Sequence, residues 1–236
     1  MKQYNFNTIA TVRSCYKEKF GIPRQPGLVA SPAIIEFDEA YSEDEAFREL
    51  ETFSHIWVVF VFHGINNDSW KSTVRPPRLG GNQRVGVFAT RSMFRPNPIG
   101  LSVVELKNIE RKKGKIILNI LGGDFLDGTP VLDVKPYIPY ADSVKTMKAG
   151  YAMAKPEIKF SVLFSQKVQN VLEAEEKQHP NLTAIISEIL QLDPRPAYKN
   201  EKQTKNEFAI KLYDYDLKWQ IDNKKIIVTE LTLLKS

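Results

Sequence analysis

Residues 84–106, RVGVFATRSMFRPNPIGLSVVEL, set the terms on which the rest of the chain is read. A strand-like run from Arg84 to Thr90 breaks into arginines, prolines, an asparagine and a glycine, and strand character returns from Leu101 to Ile109. Pro96 and Pro98 fix their own φ and hold Arg95 and Asn97 extended. So stiff a loop loses little entropy when a ligand docks. Arg91 and Arg95 add planar, permanently charged forks suited to carboxylate or phosphate. A rigid turn whose arginines pair with local acids is an equally weighted reading of these residues alone.

Working outward, strands flank this loop on both sides. Thr8 to Tyr16 and Leu28 to Phe37 read as strands around the proline-punctuated 21–27, GIPRQPG. Ser42-Glu43-Asp44-Glu45 has capping-box spacing, and Ala46, Phe47, Leu50 and Phe53 recur at helical intervals, which predicts a short helix. His55 to His63 is continuously apolar, β-branched or aromatic, the pattern of a strand buried on both faces. Residues 64–82 form a long Gly/Pro-rich loop of the kind that usually carries function or disorder. Arg111 to Lys115 predicts a hairpin turn into Ile116 to Leu121, and Val131 to Tyr137 closes the series. The expected fold class is mainly β: an N-terminal β-barrel domain with a short helix over residues 1–155. A small α+β domain is expected over 156–236. It has a strand at Glu157 to Phe164, helices at Lys167 to Gln178 and Leu182 to Leu192, and strands at Phe208 to Tyr213, Leu217 to Ile221 and Lys225 to Leu234.

Composition narrows the function classes. The 236 residues are 42% hydrophobic and 26% charged, enough for a proper core. No apolar run approaches the roughly 20 residues of a spanning helix, so no membrane segment is expected. The segment Met1 to Asn5 lacks the apolar stretch of a secretory signal, and the single Cys15 fits a reducing compartment, so cytoplasm is the expected location. His55, His63 and His179 have no paired spacing and one cysteine cannot build a zinc cluster, so no metal is expected. P-loop, G-x-G-x-x-G and G-x-S-x-G signatures are absent. A net charge of +5 leans mildly toward anionic partners.

Four segments place polar groups on loops between strands: Pro23-Arg24-Gln25, His63-Gly64, Arg91 to Gly100, and Leu126-Asp127-Gly128-Thr129. Asp133, Lys135 and Tyr137 share one strand face with Tyr140 just beyond, which suits either proton handling or a solvated face. Trp70, Arg75 and Arg78 have the chemistry to stack on bases and grip phosphate, against the reading of a loop with one packed tryptophan.

Taken together, IPRQPG, VFATRSMFRPNPIGLS and LDGTPVLDVKPYIPYAD resemble the TrmO family, formerly called YaeB/TsaA-like, across residues 5–155. DPRPAY and KLYDYDLKW are similar to its C-terminal domain. The resemblance implies an S-adenosylmethionine-dependent tRNA methyltransferase built on a β-barrel and acting as a homodimer. It further implies methyl transfer to N6 of threonylcarbamoyladenosine at position 37 of the tRNA anticodon loop. Carried over residue by residue, it implies cofactor contacts at Pro23, Arg24, Gln25, His63, Gly64, Arg91, Leu101, Leu126, Asp127, Gly128 and Thr129. Arg91 is the first choice for the cofactor carboxylate, with Arg24 able to exchange roles, and Asp127-Gly128 is expected to form an opposing wall. For catalysis, Asp133 or Tyr140 is expected to accept or relay the N6 proton while Lys135 orients the nucleoside or a phosphate. Arg75, Arg78, Lys199, Lys202 and Lys205 are expected to meet RNA. A non-catalytic RNA-binding barrel, and methyl transfer to a small molecule or protein, are the alternatives.

Overall fold

Alternation of side chains, more than any continuous apolar run, organises the first half of the chain. In the computed structural model, which describes residues 2–65, 70–145, 148–195 and 207–234, the strands follow in order. They are β1 (Ala10–Ser14), β2 (Pro32–Phe37), β3 (His55–Val61), the short β4 (Thr73–Val74) and β5 (Val85–Gly86), β6 (Ile99–Lys112), β7 (Lys115–Leu121) and β8 (Pro130–Pro136). A four-residue helix, α1 (Pro139–Asp142), ends this part. Six of the strands close into a barrel in the order β1-β2-β7-β6-β3-β8, antiparallel throughout, with β8 returning to β1. Closure pairs both edges of the sheet and leaves no open edge for aggregation.

The inward side chains Val12, Ile35, Ile56, Val58, Leu118 and Val131 are wholly buried in the barrel core. Each contributes about 1.5–3 kcal/mol on burial. β3 corrects the expectation of a strand buried on both faces. Ile56, Val58 and Phe60 are buried, whereas Trp57, Val59 and Val61 are only half-buried. No helical layer covers the outside of a small closed barrel, so apolar residues on the outer side of β3 remain partly in water.

The expected helix after Ser42 is a second correction. Glu39–Tyr41, Asp44–Phe47 and Leu50–Thr52 form three separate 3-10 turns. Ser42 is buried and caps no helix; its hydroxyl donates to Asp38 O and accepts the Ile116 amide at 3.0 Å. A tertiary donor has captured the oxygen that the capping motif needs. Arg84 to Thr90, expected as one strand, yields only the two residues of β5 before a 3-10 turn at Val87–Ala89. The hairpin at residues 113–114 forms as expected, with Lys113 and Gly114 both at positive φ, the pairing a tight primed turn requires.

The second part has strand β9 (Ser161–Phe164), helices α2 (Gln166–Glu175) and α3 (Leu182–Gln191), and strands β10 (Glu207–Leu212), β11 (Tyr215–Asp222) and β12 (Lys225–Leu233). Its sheet runs β10-β11-β12-β9, with β9 parallel to β12. The Ser165 hydroxyl caps α2 by accepting the Val168 amide. This core, built on Trp219, Tyr215, Ile185, Ile186 and Leu190, also takes in Cys15, Tyr16 and Val29 from the connection between β1 and β2. Tyr16 pairs with Leu212 as an isolated bridge, so that connection is packed as part of both domains. Burial pushes the Cys15 thiol up to about 12, leaving it an unreactive core residue.

Candidate functional site

Three connections leave the same end of the barrel: residues 15–31 from β1 to β2, 62–98 from β3 to β6, and 122–129 from β7 to β8. Antiparallel pairing forces this convergence, and every residue implied in cofactor contact lies in one of the three except Leu101.

They meet through specific contacts. Arg91 Nη1 donates to Gln25 Oε1 at 2.8 Å, tying the first connection to the second. At Gly64, a Cβ would sit 3.1 Å from Lys19 Cε and 3.3 Å from Leu126 Cδ2, so all three connections crowd against bare backbone there. The two arginines of the opening motif have separate jobs. Arg95 turns inward and donates to Val87 O at 3.2 Å and Thr90 O at 2.8 Å, bracing its own loop. Arg91 is exposed and held only by a neutral amide, so its charge remains available.

Beneath Arg91 lies a carboxyl group that sequence reasoning left out of the site. Asp124 accepts a hydrogen bond of 2.6 Å from the buried Ser102 hydroxyl on β6. Burial raises its pKa to about 6, and the Ser102 bond and the Arg91 charge offset only part of that rise. Asp124 was visible only as one acid among several in GGDFLDG. Ser102 looked like an ordinary strand residue, and nothing in the sequence marked Lys19.

Arg24 and Asp127 are oriented differently from the expectation. Arg24 Nη2 reaches the second domain, donating to Asp193 O at 3.3 Å and Arg195 O at 3.4 Å. Those carbonyls are held by an Asp193–Arg195 pair with contacts of 2.7 and 3.1 Å, whose guanidinium also lies over Phe160 and Phe208. Glu188 accepts the Ala30 amide at 2.8 Å, fastening the far end of the same connection. Arg24 therefore ties the stretch holding the buried Pro23 and the half-buried Gln25 to the second domain, whereas Arg91 stays at the rim. Asp127 is taken up by the first connection: Oδ1 accepts the Ser14 amide at 2.9 Å and Oδ2 pairs with Lys17 at 2.8 Å. Gly128, at φ +79, donates to Val12 O, and the Thr129 hydroxyl closes the turn on Leu126 O at 2.6 Å. Leu126, next to Asp127, is the side chain of this turn that packs against Gly64. His63 is exposed directly after β3, beside Gly64.

Leu101, Asp133 and Lys135 occupy the outer face of the barrel. Strand register aligns Leu101, Val59 and Asp133 in one row and Val103, Trp57 and Lys135 in the next. Asp133 Oδ2 pairs with Lys135 Nζ at 2.7 Å. Tyr137 packs near Trp57, their ring centroids 6.0 Å apart. Tyr140 is not brought to this group. It is 90% exposed on α1, beyond the β8 end that lies next to His55. Eight residue steps, most of them along β3, separate His55 from His63, a span of up to roughly 26 Å at 3.3 Å per residue. Trp70 is exposed on the second connection, whereas Lys199, Lys202 and Lys205 lie outside the described residues. Among the described residues there is no cluster able to hold a metal ion, and no helix is long and apolar enough to cross a membrane.

This donor set suits an amino acid–nucleoside conjugate such as S-adenosylmethionine. Arg91 offers a cation for a carboxylate, the Asp124 carboxyl offers an acceptor for an ammonium, and Leu126, packed against the Gly64 backbone, offers an apolar surface for a flat base.

Comparison with known proteins agrees with that chemistry. The tRNA-methyltransferase O N-terminal domain matches residues 11–143, and the TrmO C-terminal domain matches residues 157–234. The tRNA (adenine(37)-N6)-methyltransferase of Escherichia coli K12 is 47% identical over 222 residues, 94% of each chain. RcsF of Pseudomonas aeruginosa, named as an S-adenosylmethionine-dependent methyltransferase, is 40% identical over 95% of each chain. The crystal structure of TrmO from P. aeruginosa superposes with a TM-score of 0.80 at 33% identity, covering 99% of this chain and 98% of that one. With both domains matched, in the same order and over nearly the full length, the chain belongs to the tRNA-methyltransferase O family.

Proposed function

We propose that this S-adenosylmethionine-dependent methyltransferase modifies tRNA at adenosine 37 of the anticodon loop, and that its acceptor is N6 of threonylcarbamoyladenosine. The observation that carries this reading is the meeting of Arg91, Gln25, Gly64 and Leu126 at one rim, with family relatives named for adenine-37 N6 methylation. In the proposal Arg91 binds the cofactor carboxylate, Gln25 orients Arg91, and Gly64 with Leu126 lines the base. Arg24 fixes the loop that carries Pro23 and Gln25. His63, Leu101 and the Asp127–Thr129 turn border the same space.

Bound S-adenosylmethionine supplies a methyl group on an electron-poor sulfonium. What the protein contributes is alignment of the accepting nitrogen and removal of its proton. An adenine N6 bearing a carbonyl substituent is a weak nucleophile with an acidified N–H, so a nearby carboxylate is useful. Asp133 fills that role in the proposal. It shares a row with Leu101 and lies 2.7 Å from Lys135 Nζ. Tyr140, at the opposite end, has no part within a single chain.

A homodimer belongs to the same reading. Ile99 and Leu101 are exposed next to half-buried Val59 and Val61, an apolar strip on the outer barrel face beside Asp133. The cytoplasm, where tRNA is matured and thiols stay reduced, is the proposed location.

The test is mass spectrometry of nucleosides after incubating the protein and S-adenosylmethionine with tRNA lacking this methyl group. One added methyl on the position-37 threonylcarbamoyl nucleoside is expected. An added methyl on unmodified adenosine 37 would redirect the acceptor assignment, and no incorporation into tRNA would overturn the proposal.

A further inference from the structure

The positive charge of this protein is concentrated in one connection. Residues 70–95 carry Lys71, Arg75, Arg78, Arg84, Arg91 and Arg95 and no Asp or Glu, +6 against +5 for the whole chain, so the other residues sum to −1. Several cations on the rest of the barrel are paired, Arg13 and Lys115 with Glu36, Lys107 with Glu105 and Arg111 with Asp44, and no other stretch of this length is free of acids and so rich in arginine. Among the described residues none of the six in this segment forms an ion pair. Their hydrogen-bond acceptors are neutral: Ala154 O for Arg78, Thr73 Oγ1 for Arg84, Gln25 Oε1 for Arg91, and carbonyls for Arg95.

Aromatic rings are set among these charges. Phe88 is 74% exposed with the Arg95 guanidinium 5.6 Å from its centroid, and Trp70 is 53% exposed. Lys71 Nζ lies 4.6 Å from the centre of the Phe94 ring. The β4–β5 pair folds the segment back on itself, and the Tyr151 hydroxyl, donating to Ala89 O, ties it to residues beyond the barrel. Unneutralised cations beside water-facing rings match an unpaired nucleic-acid strand, whose phosphates need charge and whose unstacked bases need a flat apolar partner. A duplex keeps its bases stacked and has little use for the rings. An acidic protein or a lipid surface has no use for a planar one.

We infer that residues 70–95 are the surface on which the unpaired loop of the RNA docks, with phosphates along Lys71, Arg75, Arg78 and Arg84 and a base stacked on Phe88. The inference rests on the proposed tRNA substrate and adds where that substrate sits. Because Arg91 belongs to the same segment, an RNA held here lies next to the cofactor rim.

Binding of an anticodon stem-loop RNA, of a blunt RNA duplex and of phosphatidylserine vesicles is measured by fluorescence anisotropy or co-sedimentation without S-adenosylmethionine, across a salt series. Replacing Arg75, Arg78 and Arg84 together by Gln is expected to flatten the slope of log K against log salt by about 2, since each single-strand phosphate contact contributes roughly 0.7. Phe88→Ala is expected to weaken stem-loop binding by roughly tenfold while leaving the salt slope, the duplex affinity and the thermal unfolding temperature unchanged. A wild-type slope in the triple variant, or undiminished stem-loop binding by Phe88→Ala, overturns the inference. Vesicles bound more tightly than the stem-loop would assign the surface to lipid. Loss of stem-loop binding in a protein that methylates no tRNA would uphold the surface and sink the substrate. Normal tRNA methylation and KM in both variants would do the reverse.

Discussion

At one end of the barrel the strands are joined by residues 38–54 and by the two-residue turn 113–114; at the other they are joined by 15–31, 62–98 and 122–129. The first end uses its polar groups on itself. Arg111 donates to Asp44, Ser42 O and Gly114 O, Ser42 bridges Asp38 O and the Ile116 amide, and Phe37 meets Phe47 edge-on with centroids 4.8 Å apart. The second end leaves groups unspent. The Arg91 side chain donates to the neutral Gln25 amide, and none of the six cations along 70–95 forms an ion pair among the described residues. The same strands thus carry one end whose polar groups are spent on each other and another whose cations, among the described residues, are left without acids.

If that division is right, substitutions at the two ends should have different signatures. The largest effect is expected on the pH dependence of stability through Asp124. Its carboxyl titrates near 6 in the folded protein against an ordinary 3.8, so the folded state holds the proton more tightly. The resulting stabilisation is fully present below about pH 3.8 and is lost as pH rises through about 6. A shift of that size corresponds to about 3 kcal/mol. Asp124→Asn should flatten the decline in denaturation free energy between pH 4 and pH 7, and a decline identical to wild type would remove Asp124 as the buried carboxyl of this rim. Next, Asp133→Asn should slow single-turnover methyl transfer by roughly 100-fold, about 2.7 kcal/mol, with cofactor affinity unchanged. A rate within twofold of wild type at saturating tRNA would discard Asp133 as proton acceptor. Smallest is Arg111→Ala at the closed end, expected to cost about 1–2 kcal/mol of folding stability in urea titrations while leaving S-adenosylmethionine binding intact. Weakened cofactor binding there would erase the distinction between the ends.

Sequence reading went furthest where one local rule had no rival. The Arg111–Lys115 hairpin followed from its turn residues, and the mainly β character followed from strand after strand of apolar and β-branched residues. It failed where a distant partner decided the outcome. Ser42 had the spacing to start a helix, but the Ile116 amide, 74 residues on, takes its oxygen. Arg24 and Arg91 were chemically interchangeable until Asp193 and Arg195, supplied by the second domain, claimed one of them. Asp127 was expected, with Gly128, to wall the cofactor, yet its carboxylate is spent on Ser14 and Lys17. Asp124, with no signature of its own, became visible only when closure of the barrel placed Ser102 beneath it. Local chemistry reveals which residues can bind; register and long-range pairing decide which remain free to do so.

The central claim is that Arg91 is the cation this rim keeps available for the cofactor. Calorimetric titration of S-adenosylmethionine into wild-type protein and into Arg91→Ala tests it directly. Wild type should bind, and Arg91→Ala should bind roughly 100-fold more weakly with an unchanged unfolding temperature, as expected when a charge-assisted contact to the ligand is lost. Equal affinity in the two proteins would contradict the account.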